Sequence, residues 1–212
     1  METKLVIFDY DGVLVDSLPA VREVYEIIAK EFNIKNHKDC LQNWQSFFEL
    51  DYKKTLKKWN ITTAEDISKV NLIFRKEMSL REMNVMPFRE ISLVLKTLKE
   101  NYTLGIASNN FRKVLVPALK KNGLIDYFDF IVGAEDGKLK PDPDLLYQII
   151  KKAGVKKEEA VFVGDMDGDI EAGKMAGIKK TIAVLYGWHA KYQLSGADTF
   201  ISSPLELIGA VR

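Results

Sequence analysis

The 212-residue sequence contains a single cysteine, Cys40, so no disulfide can form within the chain. This favours a reducing, cytoplasmic setting over secretion. The first apolar run, residues 5–8, is cut short by Asp9 and does not suit a signal peptide. No apolar run approaches the roughly 20 residues of a membrane-spanning helix. The sequence therefore predicts a soluble protein with no membrane partner.

The sequence also lacks an excess of charge of either sign. It has 31 Lys and Arg residues against 30 Asp and Glu residues, which gives a net charge of +1. No global field would hold nucleic acid, so charged chemistry must be local. The first strand is not followed by a Gly-x-Gly-x-x-Gly pattern, which removes the main signal for dinucleotide binding. No feature of the sequence implies a protein partner.

Short apolar runs alternate with helical patterns over most of the chain. Such runs are typical of strands that are buried on both faces of a parallel sheet. Helical patterns at residues 112–122, 144–153 and 170–176 separate several of them, and Gly123, Gly154 and Gly177 follow as expected helix caps. The alternation predicts a doubly wound, Rossmann-like α/β fold with a parallel sheet. The predicted strands are residues 4–8, 102–107, 128–132, 160–163, 181–185 and 199–201.

One long segment interrupts this alternation. Between Ser17 and Met86 no strand is predicted, whereas Val21, Val24 and Ile28 recur at helical spacing. We therefore expect residues 1–16 and 87–212 to form the α/β catalytic core and residues 17–86 to form an inserted helical cap. The aromatic residues in this segment are expected to form the core between its helices: Trp44, Phe47, Phe48 and Tyr52. The alternative is that one or two of them close over the substrate.

Two acidic clusters directly follow predicted strands. Asp9 and Asp11 follow the first strand, and Asp165 and Asp169 follow the fourth. Because ligands of open α/β sheets bind beyond the carboxyl ends of the strands, the clusters are predicted to converge. Carboxylates held so close would resist ionisation unless a cation lay between them. Oxygen donors without His or Cys indicate a hard ion, and Mg²⁺ is the usual choice beside a phosphate.

Further polar residues reach the same predicted edge of the sheet. Ser108 and Asn109 follow the second core strand, and Lys140 lies a short loop beyond the third. The hydroxyl group of Ser108 and the amide of Asn109 are suited to phosphate oxygens. The charge of Lys140 would offset that of a phosphate and a nearby carboxylate.

These motifs, in this order, resemble those of the haloacid dehalogenase superfamily. The resemblance spans residues 5–177 and is closest to the group of phosphoglycolate phosphatases and β-phosphoglucomutases, with the helical insert matching a class-one cap. The four matching segments are Asp9-Tyr-Asp-Gly-Val-Leu-Val-Asp-Ser17, Ser108-Asn109, Lys140-Pro-Asp-Pro-Asp144 and Gly164-Asp165-x-x-x-Asp169.

The resemblance implies a role for each matching residue. Asp9 would be the nucleophile that forms an aspartyl-phosphate, and Asp11 would be the general acid and base. Asp165 would bind the metal directly, and Asp169 would support it through water. Asp9 and the backbone carbonyl of Asp11 would complete the metal site. Ser108 and Asn109 would bind the phosphate, and Lys140 would orient it.

The expected activity is therefore a Mg²⁺-dependent phosphatase that acts on a small phosphate monoester. Phosphoglycolate is the leading candidate substrate, on the resemblance alone, and a sugar phosphate is another. A sugar phosphomutase with the same aspartyl-phosphate is an alternative. A non-catalytic protein that binds phosphorylated ligands is a further alternative, which the complete set of acidic residues disfavours.

Overall fold

A computed structural model of the chain describes residues 1–49, 52–81 and 84–212. They form two compact units, one made of Met1–Asp16 with Met86–Arg212 and the other of Ser17–Val85. The first unit is α/β and the second is helical. Among the residues described, no helix is long and apolar enough to cross a membrane.

The α/β unit is built on a parallel sheet. The described strands are β1 (Leu5–Phe8), β2 (Val15–Asp16), β3 (Met86–Pro87), β4 (Thr103–Ala107), β5 (Phe130–Val132), β6 (Ala160–Gly164), β7 (Lys180–Val184) and β8 (Thr199–Ile201). Six of them form one sheet in the order β5-β4-β1-β6-β7-β8, and every neighbouring pair in it is parallel. The chain winds outward from β1 in both directions, which confirms the predicted doubly wound class.

The six predicted strands are confirmed, with boundaries that differ by no more than two residues. The pair β2 and β3 was not predicted. It is antiparallel and joins Val15 to Pro87 and Asp16 to Met86. Strands of two residues are too short to show a periodic pattern, and their pairing depends on a contact between distant parts of the sequence.

The helices fall into two groups. In the helical unit they are α1 (Leu18–Glu31), α2 (His37–Gln42), α3 (Trp44–Phe47), α4 (Tyr52–Lys57) and α5 (Ala64–Arg81). In the α/β unit they are α6 (Ile91–Lys99), α7 (Arg112–Lys121), α8 (Asp144–Ala153), α9 (Asp167–Ala176) and α10 (Leu207–Ala210).

Glycines end the two helices that flank β6. Gly154 follows α8 and Gly177 follows α9, both with φ near the left-handed value, at 65°. A residue without a Cβ adopts this conformation with little strain, which is why glycine commonly ends helices. The start of α9 differs from the prediction, because the helix begins at Asp167 rather than at Ile170. Its first turn therefore contains Asp169.

The centre of the sheet explains the unbroken apolar run of β1. All four residues of that strand are fully buried, and Leu5 and Ile7 pack in one cluster with Leu145 and Ile149 of α8. A strand covered on both faces has no position that favours a polar side chain. The polar residues are thus confined to the loops at the strand ends.

Two aspartates form hydrogen bonds between neighbouring strands at the amino ends of the sheet. Asp129 accepts a hydrogen bond from the backbone N–H of Leu104 at 3.0 Å, and its own N–H donates back to Leu104. Asp198 forms the same reciprocal pair with Thr181, at 2.7 and 2.9 Å. Asp129 directly precedes β5 and Asp198 directly precedes β8, so each pair fixes the register of its strand with the neighbouring strand.

The helical unit has an aromatic core around Tyr25. The ring of Tyr25 makes edge contacts with Trp44 at 5.4 Å and Phe48 at 5.9 Å. Trp44, Phe47 and Phe48 are all buried. Tyr52 is half-buried, and its hydroxyl accepts a hydrogen bond from Asn71 at 3.2 Å. The prediction that these aromatic residues form a core is therefore confirmed for the first three.

Candidate active site

Three carboxylates meet at the carboxyl edge of the sheet. Asp9 directly follows β1, Asp165 directly follows β6, and Asp169 lies in the first turn of α9. β1 and β6 are paired in register, so Phe8 lies beside Val163 and the two loops begin side by side. One oxygen atom from each of the three carboxylates lies within 4.8 Å of the others, and all three residues are buried. Asp9 of the first acidic cluster therefore lies beside Asp165 and Asp169 of the second, as predicted.

Lys140 provides the positive charge of the cluster. Its Nζ atom lies 2.7 Å from Oδ1 of Asp9 and 2.7 Å from Oδ1 of Asp169. Burial would lower the pKa of Lys140, but the charges of Asp169 and Asp9 outweigh it and raise that pKa above its usual value. The lysine is therefore a fixed cation in a buried site.

The loop of Lys140 is held by Asn109. The Asn109 side chain donates to the carbonyl of Lys140 at 3.1 Å and accepts from the Lys140 N–H at 2.9 Å. Because the side-chain amide of Asn109 is hydrogen-bonded to the backbone of Lys140, the expected contact of Asn109 with phosphate would be made by its backbone N–H. Asn109 itself is exposed, whereas the neighbouring Ser108 is buried.

Both carboxylate oxygens of Asp169 accept hydrogen bonds. Its Oδ2 atom accepts the backbone N–H groups of Asp165 at 3.2 Å and Met166 at 3.0 Å, while Oδ1 accepts from Lys140. These bonds explain why α9 begins three residues earlier than its apolar pattern predicts, since the carboxylate satisfies free amides at the helix start. Asp169 thus orders the loop that carries Asp165.

Asp165 has one oxygen engaged and one without a partner. Oδ2 accepts the backbone N–H of Trp188 at 2.7 Å, whereas Oδ1 is buried and has no hydrogen-bond partner. Burial, together with the charges of Asp169 and Asp9, raises the pKa of Asp165 well above its usual value. A buried carboxylate oxygen without a partner is costly, and a cation beside it would remove that cost.

Two glycines allow other loops to press against Asp165. A Cβ atom on Gly12 would lie 2.0 Å from Oδ2 of Asp165, and one on Gly187 would lie 2.3 Å from the Asp165 Cβ. Gly12 also has a positive φ of 72°, which other residues adopt with strain. Any larger residue at either position would displace the carboxylate.

The environment of Asp9 raises its affinity for protons. Burial raises the pKa of Asp9 to about 7, and the charges of Asp169 and Asp11 act in the same direction, whereas Lys140 lowers it. Lys140 therefore favours the ionised form of Asp9, which is the form that a nucleophile needs. A bound cation would act in the same direction as the lysine.

Asp11 lies in the same loop as Asp9 and is less buried. Its Oδ2 atom accepts a hydrogen bond from Nδ2 of Asn110 at 2.5 Å. The backbone N–H of Asn110 in turn donates to Oγ of Ser108 at 3.1 Å. This chain of contacts connects Asp11 to Ser108 at the end of β4.

Several residues that contribute to the site were not predicted from the sequence. Asn110 follows directly on two predicted site residues at a strand end, and that position is a signal that could have identified it. The backbone N–H of Trp188 leaves no such signal, because a backbone hydrogen bond does not depend on residue type. The close approach of Gly187 does require glycine, but a single glycine in a sequence does not show which residue it contacts.

The donors fit a hard divalent cation. Asp9, Asp165 and Asp169 offer only carboxylate oxygens, and the described residues place no cysteine among them. Oxygen donors of this kind suit Mg²⁺ and similar ions. Asp9 and Asp165 are the better candidates for direct contact, because Asp165 has a buried oxygen without a partner and both oxygens of Asp169 are engaged.

The sequence profile of the family described as "Haloacid dehalogenase-like hydrolase" matches residues 6–184. The chain belongs to this family, which confirms the resemblance drawn from the motifs, and it is a hydrolase.

Two relatives match most of the chain. A phosphoglycolate phosphatase of Aquifex aeolicus is 29% identical over 208 residues, which cover 97% of this chain and 95% of the relative. A pyrophosphatase PpaX of Halalkalibacterium halodurans is 29% identical over 192 residues, which cover 86% of this chain and 84% of the relative.

Solved structures share the fold. A haloacid dehalogenase-like family hydrolase of Streptococcus pneumoniae matches with a TM-score of 0.85 at 20% identity, covering 99% of each chain. A subfamily IA hydrolase of the same superfamily from Geobacter sulfurreducens matches with a TM-score of 0.71 at 21% identity, covering 99% of this chain and 97% of the other. Both similarities extend over the helical unit as well as the α/β unit.

Proposed function

We propose that the protein is a Mg²⁺-dependent phosphatase that hydrolyses a small phosphate monoester through an aspartyl-phosphate on Asp9. The observation that carries this proposal is the buried contact of Asp9 with Lys140 at 2.7 Å, beside two further carboxylates. A carboxylate whose ionised form is favoured by a fixed cation beside it is a competent nucleophile.

In the first step, a carboxylate oxygen of Asp9 attacks phosphorus and the bond to the ester oxygen breaks. The leaving oxygen takes a proton from Asp11, so that an alcohol departs. Ser108 and the backbone of Asn109 would bind the phosphoryl oxygens, and Lys140 would balance their charge. These assignments follow the family motifs and agree with the contacts among Asp11, Asn110 and Ser108.

In the second step, water attacks the phosphorus of the aspartyl-phosphate. Asp11, now ionised, accepts the proton of that water, and the bond between phosphorus and Asp9 breaks to release phosphate. The same carboxyl group thus serves as acid and then as base. Asp9 is returned to its ionised form beside Lys140.

Asp9, Asp165 and the backbone carbonyl of Asp11 would hold the Mg²⁺ ion, with Asp169 supporting it through water. When bound, the ion supplies positive charge that stabilises the transferring phosphoryl group. The partnerless Oδ1 atom of Asp165 supports this assignment.

Phosphoglycolate is the substrate that we propose first, because a relative that matches nearly the whole chain is named a phosphoglycolate phosphatase. Pyrophosphate is the second candidate, since another relative is named a pyrophosphatase. It is an anhydride rather than an ester, so its leaving group would be phosphate instead of an alcohol. Both candidates carry a second anionic group beside the reacting phosphate. We also propose that the helical unit is the cap that selects the substrate, and that the protein works in the cytoplasm, where its lone Cys40 would stay reduced.

The test is a panel of phosphate compounds assayed with Mg²⁺ and with EDTA. The panel contains phosphoglycolate, pyrophosphate, glycerol phosphate, glucose phosphate and 4-nitrophenyl phosphate. Asp9→Asn is expected to reduce kcat by more than about 10³-fold, and Asp126→Asn, which alters an exposed acid of the same unit, to leave it unchanged. Mass spectrometry of quenched wild-type enzyme should find one phosphoryl group on Asp9.

Three outcomes would contradict the proposal. Full turnover by Asp9→Asn would exclude the nucleophile, and full turnover in EDTA would exclude the metal. Conversion of glucose phosphate into an isomer without release of free phosphate would indicate the mutase instead.

A further inference from the structure

Asn110 joins the loop after β4 to the loop after β1. Its Nδ2 atom donates to Oδ2 of Asp11 at 2.5 Å, although the two residues lie 99 positions apart in the sequence. No step of the proposed phosphatase mechanism uses Asn110.

The backbone of Asn110 is fixed on both sides. Its N–H donates to Oγ of Ser108 at 3.1 Å, and its carbonyl accepts the N–H of Ala134 at 2.9 Å. A Cβ atom on Gly133 would lie 2.7 Å from that carbonyl, so the approach of the neighbouring loop is close. The amide of Asn110 is therefore held in a constant position relative to Ser108.

We propose that Asn110 is a positioning residue for Asp11, which aims the proton of that carboxyl group at the oxygen of the leaving alcohol. This inference rests on the proposed phosphatase mechanism. An amide N–H can donate to Oδ2 whether Asp11 is ionised or protonated. This bond fixes the plane of the carboxyl group through a side chain that is anchored beside Ser108.

The proposal predicts a dependence on the leaving group. As the bond from Asp9 to phosphorus forms, the electron pair of the breaking ester bond moves to the ester oxygen. An alkoxide is a poor leaving group and needs the proton of Asp11, whereas a nitrophenolate is stable without it. Loss of Asn110 should thus slow the cleavage of alkyl esters far more than that of 4-nitrophenyl phosphate.

The experiment compares kcat/KM of two variants, Asn110→Ala and the nearly isosteric Asn110→Asp, with wild type. The substrates are 4-nitrophenyl phosphate and the alkyl ester of the panel that wild type cleaves best. Because kcat/KM reports only steps up to the release of the leaving group, hydrolysis of the aspartyl-phosphate does not enter. The matched control is Asn101→Ala, an exposed asparagine of the same unit.

For the alkyl ester we expect kcat/KM to fall by about 10- to 100-fold, part of the 10²- to 10⁴-fold that a general acid contributes. For 4-nitrophenyl phosphate we expect a fall of less than about threefold. Asp11→Asn should show the same selectivity with a larger loss. Thermal unfolding of the metal-free proteins checks that both variants fold. If Asn110→Ala does not fold, Asn110→Asp still tests the proposal, because it keeps the shape of the side chain.

Equal losses on both esters would overturn the proposal and would mean that Asn110 serves substrate binding or the fold. An unchanged kcat/KM for the alkyl ester would overturn it as well. Failure of the phosphatase mechanism itself has a different signature, namely a wild type that cleaves no ester or an Asp9→Asn variant that remains active. That outcome removes both proposals.

Discussion

Lys140 and Asp169 are joined by a buried ion pair in which Nζ of the lysine lies 2.7 Å from Oδ1 of the aspartate. Lys140 lies in the loop before α8, and Asp169 lies in the first turn of α9, so the pair connects two loops at the carboxyl edge of the sheet. The same Nζ atom contacts Asp9. One lysine therefore balances two buried carboxylates.

Replacing this lysine should cost stability as well as activity. Lys140→Met leaves Asp9 and Asp169 buried without their cation, and breaking such a pair typically lowers the free energy of unfolding by about 3–5 kcal/mol. Lys138→Met is the matched control, because its side chain is 79% exposed and its ion pair with Asp142 is long, at 3.6 Å. Urea unfolding of the metal-free proteins measures both. An equal effect of the two substitutions would contradict the prediction.

Gly187 should control metal binding through Asp165. In Gly187→Ala the new Cβ would lie 2.3 Å from the Cβ of Asp165, so the carboxylate or the loop must move. We expect the affinity for Mg²⁺, measured by calorimetry, to fall by about 10- to 100-fold, as for changes in the surroundings of metal ligands. In Gly209→Ala, the control, the added Cβ meets no atom within 4 Å. Wild-type affinity in Gly187→Ala would exclude this role.

Asp129 should contribute stability at neutral pH that is lost in acid. Partial burial raises its pKa, but the hydrogen bonds from Lys99 and from the N–H of Leu104 outweigh this and leave the pKa of Asp129 below its usual value. In acid the unfolded chain then takes up this proton more readily than the folded one. The contribution is complete above the unfolded pKa of about 4 and disappears as the pH falls through the folded pKa.

Asp129→Asn is therefore expected to lower the free energy of unfolding by about 1 kcal/mol near neutral pH, a figure reduced for solvent exposure. The difference from wild type should shrink as the pH falls to about 3. Urea unfolding at several pH values measures it, with Asp126→Asn as an exposed control from the same unit. A difference that stays constant with pH would exclude an origin in the charge of Asp129.

Trp44 should be a main source of stability in the helical unit. The residue is 1% exposed, and its ring stacks on Phe48 at 4.6 Å and forms a T-shaped contact with Tyr25. Trp44→Ala should lower the free energy of unfolding by about 3–5 kcal/mol. Leu72→Ala, at a 70% exposed position of α5, should change it by less than about 0.5 kcal/mol. Comparable losses in the two variants, measured by urea unfolding, would show that this aromatic cluster is not the core of the unit.

The sheet could be predicted from the sequence because its strands are buried on both faces. β1 and β6 are continuous apolar runs, and every residue in them is buried. Asp9, Ser108 and Asp165 could be placed because each of them directly follows a buried strand, and parallel strands bring these ends to one edge. The first turn of α9 was missed because it has no apolar pattern. It carries Asp169, which accepts the backbone N–H groups of Asp165 and Met166.

The sequence by itself determined the fold class, the order of the motifs and the edge of the sheet where Asp9, Asp165 and Lys140 meet. These features depend on residue type along short segments, where burial and strand direction leave few alternatives. Only the tertiary structure decided that Asn110 reaches Asp11, that the Trp188 N–H engages Asp165 and that Gly187 presses on the same carboxylate. These are contacts over ångström distances between loops far apart in the chain, two of them made by backbone, and no local pattern encodes them.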